Sequence, residues 1–261
     1  AHGSFENYKK YKLKFFEYVP NNHVINKDDK YFQEFYAITA KNKIIYSAVD
    51  YKDIKLKLWG DFNITNATVA IKTAEIYGVD PEKAKQVLEK IESLPGRMEQ
   101  INEGQKFKVI VDYAHTPDSM EAVYKSLVSK LAVGARMICV FGATGGGRDK
   151  WKRPEYGNIS EKYCDEIILT NEDSYDENPE EILKQIEKGF LQTQGSGSKV
   201  KKTIDRKEAI QRGVGLAKEG DIVIITGKGS ESTMMIAGGK KIHFDDREVA
   251  REALKNSISK M

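Results

Sequence analysis

Apolar and polar positions alternate regularly through the second half of the chain. Short apolar runs, typical of buried strands in a parallel sheet, are separated by longer amphipathic stretches. The predicted strands are 108–112, 137–141, 167–170, 199–203 and 222–226, with a turn at 195–198 and a hairpin at 234–243. The predicted helices run from Pro117 to about Leu131, up to Tyr163, from Pro179, from a cap at Asp205 to about Lys218, and from about Asp245. This alternation predicts an α/β fold with a doubly wound parallel sheet.

The first 95 residues follow a less regular pattern. An amphipathic helix is predicted over 5–16, and later helices are predicted from the Trp59–Ala67 segment to about Tyr77 and from Pro81 to near Ser93. Between them the pattern favours short strands around a small helix near Asp28. These strands are 24–25, 35–39, 44–49 and 54–58. Such elements do not close a domain of their own.

Composition excludes several classes of protein. The 261 residues include 42 basic and 39 acidic side chains, a net charge of +3 that implies no nucleic-acid surface. The chain has no apolar run long enough for a membrane span, and its first 20 residues are too rich in lysine for a signal peptide. We therefore expect a cytoplasmic protein. Cys139 and Cys164 both fall in apolar stretches, so buried free thiols are expected.

The segment from Leu94 to Pro117 joins the two halves. Asp112 ends a predicted buried strand, at the sheet edge where open α/β folds bind ligands, and Thr116 with Pro117 is typical of a helix start. Arg97 and His115 lie in the same segment. From the spacing of these residues alone, an interdomain linker followed by a capped helix is the favoured explanation.

Two motifs in this segment resemble a known family. Gly96-Arg97-Met98-Glu99 followed by Asp112-Tyr113-Ala114-His115-Thr116-Pro117 is similar to the hinge of the Mur ligases, and most similar to the E-type branch. Matching stretches extend from His2 to about Arg251. These enzymes use ATP to add amino acids to the peptide of the cell-wall precursor UDP-N-acetylmuramic acid. The resemblance implies that Arg97 faces the ATP phosphates, that Asp112 faces the ribose hydroxyls, and that Arg97 and His115 are catalytic.

The N-terminal helix carries a lysine within an aromatic stripe. Phe5, Tyr8, Lys12 and Phe15 share one helical face. On that face a lysine ordinarily extends its ammonium group to water. The segment beginning at His2 resembles the E-type stretch that leads to a carbamylated lysine, and Lys12 takes that position. The resemblance therefore implies a carbamate at Lys12 that binds Mg²⁺. If residues 1–4 are a cloning remnant, the match at His2 and Gly3 is weakened, but Tyr8 and Lys12 stay aligned.

Two asparagines begin the helix after Trp59. Asn63 and Asn66 are three residues apart, so they lie on one face of its first turn. Helix capping explains one of them well and two less well. In Mur ligases the corresponding Gly-x-Phe-Asn-x-x-Asn segment contacts the ATP base, so the resemblance assigns ATP binding to both.

The loop after residue 141 is rich in glycine. Gly142–Gly147 after a strand is compatible with dinucleotide binding or with a tight strand-to-helix turn. The following Arg148 to Pro154 stretch resembles the E-type segment whose first arginine holds the carboxylate of the incoming amino acid. Arginine suits this role because its planar group binds carboxylate through two hydrogen bonds. A solvated basic turn is the alternative.

Two further loops follow predicted strands, and the resemblance assigns both to the amino-acid substrate. In the first, Gly227 and Glu231 match family positions that contact the added amino acid, although Ser230 replaces the usual histidine. The other loop contributes Glu172, Asp173 and Tyr175. Diaminopimelate-adding enzymes have arginine where this chain has Tyr175. Because tyrosine cannot bind a second carboxylate as arginine does, lysine or a similar diamino acid is the expected substrate.

The resemblance completes the predicted organisation. Residues 1–95 are expected to be the C-terminal part of the central ATP-binding domain, and residues 96–261 a Rossmann-like ligase domain that binds the amino acid. The family's Gly-Lys-Thr/Ser phosphate loop does not occur in these 261 residues, so we expect a fragment that is inactive alone. A monomer is expected, with ATP and Mg²⁺ as cofactors and UDP-N-acetylmuramoyl-dipeptide and a free amino acid as partners. A folylpolyglutamate- or cyanophycin-type ligase and a non-catalytic binding remnant are the alternatives.

Overall fold

The chain forms two compact units in the computed structural model, which describes residues 4–190 and 199–258. The first unit ends at Glu92 and the second begins at Ser93. In the first unit, β1 (Asn22–Asn26) and β2 (Asn42–Tyr46) form a two-stranded parallel sheet. Its helices are α1 (Phe5–Tyr18), α2 (Phe32–Ala37), α3 (Phe62–Ile76) and α4 (Pro81–Leu88). The assignment of 1–95 and 96–261 to particular domains stays a prediction.

Two predicted strands of the first unit are wrong. The segment 35–39 begins within α2, where Phe35 packs edge-on against Phe16 with ring centroids 4.9 Å apart. The segment 54–58 has no strand partner; Ile54 is buried against α3, and the Lys55 N–H donates to the Glu89 carboxylate. In both places the alternation of apolar residues comes from packing against helices, which the period-2 pattern does not distinguish from a sheet.

The second unit is built on a six-stranded sheet, which confirms the predicted α/β fold. Its strand order is β3-β4-β8-β5-β6-β7, with all neighbours parallel except the antiparallel β3. The strands are β3 (Glu99–Ile101), β4 (Lys108–Asp112), β5 (Met137–Phe141), β6 (Glu166–Leu169), β7 (Val200–Lys202) and β8 (Ile222–Thr226), and a separate hairpin joins β9 (Thr233–Ile236) to β10 (Lys240–His243). The predicted turn at 195–198 lies outside the described residues.

Helices cover both faces of this sheet. They are α5 (Pro117–Val128), α6 (Lys152–Tyr163), α7 (Pro179–Glu187), α8 (Arg206–Leu216) and α9 (Asp246–Ile258). One face of the sheet, including Val111, Val140 and Val223, packs on α8 and α9. Successive strand residues point to opposite faces, so the alternate apolar positions face the other side, where α5, α6 and α7 pack side by side. Within the described ranges, no helix combines the length and apolarity needed to cross a membrane.

The two cysteines differ from the prediction in one respect. Cys139 and Cys164 are buried as expected, but they are joined by a disulfide, so the prediction of free thiols is wrong. Cys139 lies on β5, and Cys164 follows α6 just before β6. Because β5 and β6 are neighbours in the sheet, the chain returns to within 6.0 Å between the two Cα atoms. The sequence separation of 25 residues hides this proximity.

The strand order also fixes where loops converge. β8 returns to lie between β4 and β5, so the connections leave the carboxyl ends of neighbouring strands in different directions. Such a switch in direction opens a crevice at the carboxyl edge of a parallel sheet. The loops after β4, β5, β6 and β8 all begin at this edge.

Candidate amino-acid-binding site

These four loops enclose a cavity of about 280 Å³. All the residues that sequence analysis assigned to the amino-acid substrate line it, together with His115. They are Arg148, Glu172, Asp173, Tyr175, Gly227 and Glu231. The cavity therefore brings together residues that are up to 118 positions apart in the sequence, from Tyr113 to Glu231. Polar and charged groups dominate its lining, and the size of the cavity suits an amino acid.

Glu172 is the most deeply buried carboxylate of the cavity. Its side chain accepts a 2.6 Å hydrogen bond from the Thr144 hydroxyl, and it forms no ion pair with any described residue. Burial raises the pKa of Glu172, although the nearby Arg206 guanidinium opposes that shift. Gly227, on the opposite wall of the cavity, lies so close that an added Cβ there would collide with the Glu172 carboxylate. Glycine at this position is thus required by close approach as well as by its φ of 114°.

Asp173 and Glu231 are bound by a lysine that sequence analysis did not select. The Lys228 ammonium lies 3.1 Å from Asp173 Oδ1 and 2.9 Å from Glu231 Oε2, and the lysine is fully buried. Burial lowers its pKa, but the hydrogen bond to Glu231 and the charge of Asp173 outweigh burial, so the pKa of Lys228 lies above its usual value. The only feature of the sequence that could have indicated this buried lysine is its position between two glycines, and that pattern is equally typical of an exposed turn.

Arg148 is the one cation of the cavity that is free of ion pairs among the described residues. Its side chain is exposed. By contrast, Lys152 pairs with Asp149, and the buried Arg153 donates to Glu177, Gln185 and the Thr144 carbonyl. Arg153 therefore holds the glycine-rich loop in place, and Arg148 is available to bind an anionic group.

Tyr175 occupies one wall in an unusual backbone conformation. Its φ is 50°, in the left-handed region that few residues other than glycine adopt, and its N–H donates to the Met235 carbonyl. Its ring packs so closely on Gly146 that an added Cβ there would lie 2.7 Å from Tyr175 Cδ2. The loop after β6 is thus fixed between the glycine-rich loop and the β9–β10 hairpin. Left-handed residues of this kind concentrate at binding sites.

Arg206, on α8, stabilises two of the loops that line the cavity. Its buried guanidinium forms two hydrogen bonds to Asp246, at 2.8 and 2.7 Å, and also donates to the carbonyls of Asn171 and Thr226. These carbonyls lie at the ends of β6 and β8, on either side of β5. One side chain from α8 therefore fixes two of the loops that line the cavity. Sequence analysis could not have found this residue, because nothing near Arg206 in the chain indicates its partners.

Within the Gly96–Pro117 segment, the Asp112 carboxylate binds backbone N–H groups. Asp112 is buried, and its two carboxylate oxygens accept hydrogen bonds from the N–H groups of Met98 and Ala114. Burial raises the pKa of Asp112, and these bonds oppose the shift. The Arg97 guanidinium lies over the Tyr113 ring, 4.3 Å from its centroid. In the predicted contact with ribose, Asp112 would accept hydrogen bonds through the carboxylate lone pairs that the Met98 and Ala114 N–H groups do not use.

His115 lies just before the start of α5. His115 is exposed, and its Nδ1 lies 3.0 Å from the Tyr113 carbonyl oxygen. The Tyr156 hydroxyl donates to the His115 carbonyl at 2.6 Å. Thr116 caps α5 through its side chain and Pro117 begins the helix, as predicted. The catalytic role of His115 stays a prediction.

The remaining predicted residues lie in the first unit. Lys12 is exposed on α1, with its ammonium 5.5 Å from the centroid of the Tyr8 ring. The described residues therefore provide no burial to promote carbamylation, and they contain no cluster of His, Cys, Asp or Glu suited to a metal. Asn63 is buried and donates to the Trp59 carbonyl, while its Oδ1 accepts from Asn66. The two asparagines thus support each other at the start of α3.

The second unit is thus an α/β sheet with a polar, amino-acid-sized cavity at its carboxyl edge. A family profile described as "Mur ligase, glutamate ligase domain" matches residues 96–229. The chain belongs to the Mur ligase family, which confirms the predicted resemblance.

Its relatives include E-type enzymes. It is 36% identical to the UDP-N-acetylmuramoyl-L-alanyl-D-glutamate–2,6-diaminopimelate ligase of Syntrophomonas wolfei, over 98% of this chain and 57% of the relative. It is 37% identical to the enzyme of the same name from Fusobacterium nucleatum, over 97% of this chain and 56% of the relative. A solved structure of a ligase with this name matches with a TM-score of 0.59 and 28% identity, over 99% of this chain and 58% of that one. The chain thus spans just over half the length of these relatives.

Proposed function

We propose that this protein is a cytoplasmic ATP-dependent amide ligase that adds the third amino acid to UDP-N-acetylmuramoyl-dipeptide. The observation that carries the proposal is that one cavity holds an arginine, Arg148, and a buried carboxylate, Glu172, neither of which forms an ion pair with a residue that the structure describes. A diamino acid carries a carboxylate for Arg148 and a side-chain ammonium for Glu172, which leaves its α-amine free to react. The names of the relatives support the same reaction class.

In this proposal each residue acts on a defined group. Arg148 holds the α-carboxylate of the acceptor, whose amine attacks an acyl phosphate formed from ATP and the dipeptide carboxylate. Asn63 and Asn66 contact the ATP base, Asp112 the ribose and Arg97 the phosphates. For Lys12 only the resemblance supports a carbamate that would bind Mg²⁺ and supply positive charge to the phosphates, since its exposure in this chain does not promote carbamylation. The family resemblance supports these roles; the geometry around Arg148 supports the first.

The proposed acceptor is a diamino acid, and lysine is favoured over meso-diaminopimelate. The latter carries a second carboxylate, for which the cavity offers no cation free of an ion pair besides Arg148 among its described lining residues. Tyr175 lies where diaminopimelate enzymes have arginine. Because these relatives are 2,6-diaminopimelate ligases, meso-diaminopimelate is the second candidate.

Calorimetric titration of the 261-residue chain tests the site. We expect L-lysine to bind at least tenfold more tightly than meso-diaminopimelate, since a missing charge-assisted contact costs roughly 1.5–3 kcal/mol. Arg148→Gln should weaken lysine binding about 10- to 150-fold on the same grounds. Arg212→Gln, on the exposed side of α8, is the control and should change nothing.

Turnover requires a second measurement. A hybrid that joins this chain to the part of the Syntrophomonas relative that it does not match should release phosphate from ATP only when dipeptide precursor and amino acid are both present. Release without an amino acid would contradict the ligase function. A tenfold preference for meso-diaminopimelate over lysine would contradict the acceptor assignment and leave the ligase function standing.

A further inference from the structure

Tyr156 on α6 connects the wall of the cavity to His115. Its side chain is buried and lines the cavity, and its hydroxyl donates a 2.6 Å hydrogen bond to the His115 carbonyl oxygen, 41 positions earlier in the chain. Burial raises the pKa of the Tyr156 hydroxyl, so this group keeps its proton and remains a donor at neutral pH. Tyr156 therefore fixes the backbone of a residue that also lines the cavity.

The backbone on either side of His115 is fixed as well. The Ala114 N–H donates to the Asp112 carboxylate at 2.7 Å, and Thr116 is held as the cap of α5. The Tyr156 hydroxyl completes this arrangement, because it holds the carbonyl of His115 itself. The side chain of His115 is thus exposed, but the backbone that carries it is held in one conformation.

The ring of His115 is bound through one of its two nitrogens. Its Nδ1 lies 3.0 Å from the Tyr113 carbonyl oxygen, and the ring packs edge-on against the Tyr113 ring with centroids 4.6 Å apart. Because a carbonyl oxygen only accepts, Nδ1 carries the proton of the neutral imidazole. Nε2 then carries the lone pair, and it has no hydrogen-bond partner among the residues that the structure describes. An imidazole in this state takes up a proton near neutral pH.

We propose that Tyr156 is a positioning residue, which holds His115 so that Nε2 accepts a proton from the α-ammonium group of the incoming amino acid. This inference rests on the proposed function and deepens it. Arg148 and Glu172 are the proposed partners of the α-carboxylate and the side-chain ammonium. The α-nitrogen is therefore the one charged group of the amino acid that those two residues leave without a partner.

The proton transfer completes the proposed reaction. A protonated α-nitrogen has no lone pair, so one N–H bond must break before the attack, and its proton moves to His115 Nε2. The freed lone pair forms the C–N bond to the acyl phosphate, while the C–O bond to phosphate breaks and the phosphate leaves with that electron pair. A second proton of the amine goes to the departing phosphate, and His115 later returns its own proton to water.

Nitrogen NMR of the 261-residue chain, labelled with 15N in its histidines, tests the positioning directly. A His115→Gln variant identifies the His115 signals. In the wild type the neutral His115 ring should be protonated mainly on Nδ1, whereas an unconstrained histidine favours protonation on Nε2. Tyr156→Phe removes only the hydroxyl, and it should return His115 to the ordinary preference for Nε2.

Tyr163→Phe is the matched control for this comparison. Tyr163 lies on the same helix, and its hydroxyl donates at 2.9 Å to Glu121, which does not line the cavity. This control should keep the wild-type position of the proton on the His115 ring.

Turnover of the hybrid enzyme separates positioning from a structural role. At saturating amino acid, Tyr156→Phe should lower kcat roughly 10- to 100-fold and His115→Gln roughly 100-fold or more, since a general base contributes about 10²–10⁴-fold. Calorimetry should show that L-lysine binding changes by less than about twofold in both variants. Raising the pH should restore part of kcat, because the amine then loses its proton to solvent. The double variant should be no slower than His115→Gln, because Tyr156 acts through His115.

Two results would overturn the inference. One is an unchanged proton position on the His115 ring in Tyr156→Phe, and the other is a loss of kcat that adds to the loss in His115→Gln. A wild-type hybrid that binds no amino acid or shows no turnover contradicts the proposed function instead. The NMR comparison then decides the positioning role by itself, because it needs no turnover.

Discussion

At the scale of single residues, burial decides which charged side chains can serve the substrate. Sequence analysis treated Glu172, Asp173 and Glu231 alike, as carboxylates on loops. In the structure Glu172 is buried without a cation partner, whereas the other two share Lys228. A carboxylate buried in this way is costly for stability, because burial penalises its charged form. Such a cost is typical of residues kept for binding.

The first prediction concerns Glu172→Gln. In the folded protein the pKa of Glu172 lies above its ordinary value near 4.5. The ionised side chain therefore destabilises the fold at neutral pH. The variant should therefore raise the thermal midpoint at pH 7 and lose the preference for lysine over norleucine, which has the same chain without the side-chain ammonium.

Its control is Glu121→Gln, whose carboxylate pairs with Lys162 outside the cavity. This control should keep the lysine preference. In the wild type, the preference should disappear as pH falls through the pKa of Glu172. A preference that persists down to pH 4 would show that Glu172 does not receive the ammonium.

At the scale of elements, buried arginines connect the loops that line the cavity to the helices behind them. Arg153 on α6 holds the glycine-rich loop through the Thr144 carbonyl and is itself held by Glu177 and Gln185. Arg206 on α8 does the same for the ends of β6 and β8. Arg206 thus holds loop ends that are 20 and 35 positions away in the sequence, whereas Arg153 holds the loop that directly precedes its own helix.

The second prediction is that Glu177→Gln lowers the free energy of unfolding at pH 7 by roughly 1.5–3 kcal/mol, because a charged hydrogen-bonding partner of buried Arg153 is lost. The hydrogen bond from Arg153 lowers the pKa of Glu177 to about 2. Its stabilisation is therefore present above the unfolded pKa near 4.5 and is lost as pH falls towards 2.

Urea denaturation at several pH values measures this effect. The difference between the variant and the wild type should narrow below pH 4.5. Glu180→Gln, on the exposed surface of α7, is the matched control and should have little effect. Equal stability of Glu177→Gln and the wild type at pH 7 would show that Arg153 does not need this partner.

At the scale of the whole molecule, the disulfide joins the central sheet to the end of α6. It closes a loop of 25 residues within the second unit. The third prediction is that breaking it destabilises the protein by about 2–4 kcal/mol, chiefly because the unfolded chain becomes less restricted.

Thermal unfolding with and without dithiothreitol checks this prediction. The reductant should lower the midpoint of the wild type but not that of the Cys139→Ala/Cys164→Ala variant. Thiol counting under denaturing conditions should find no free thiol in the unreduced wild type. Two free thiols there would contradict the disulfide.

The periodicity of the sequence was sufficient for the sheet domain and insufficient for the first unit. Strands such as 137–141 and 222–226 are continuous apolar runs buried on both faces, and only a parallel sheet covered by helices accommodates them. The segments 35–39 and 54–58 are short, and their apolar residues pack on helices instead. Local pattern does not determine which partner a short apolar segment meets.

By itself, the sequence determined the family, the α/β fold of the second half, the capped start of α5 and the loops that hold the candidate substrate residues. Those features depend on local periodicity, turn residues and contiguous motifs. Only the tertiary structure decided that Cys139 meets Cys164, that Lys228 is buried between two carboxylates, and that Arg206 braces the loops from behind. The strand order brings together Cys139 and Cys164, which are 25 positions apart, and Lys228 and Asp173, which are 55 positions apart. Long-range pairing of this kind leaves no trace in the spacing of residues along one chain.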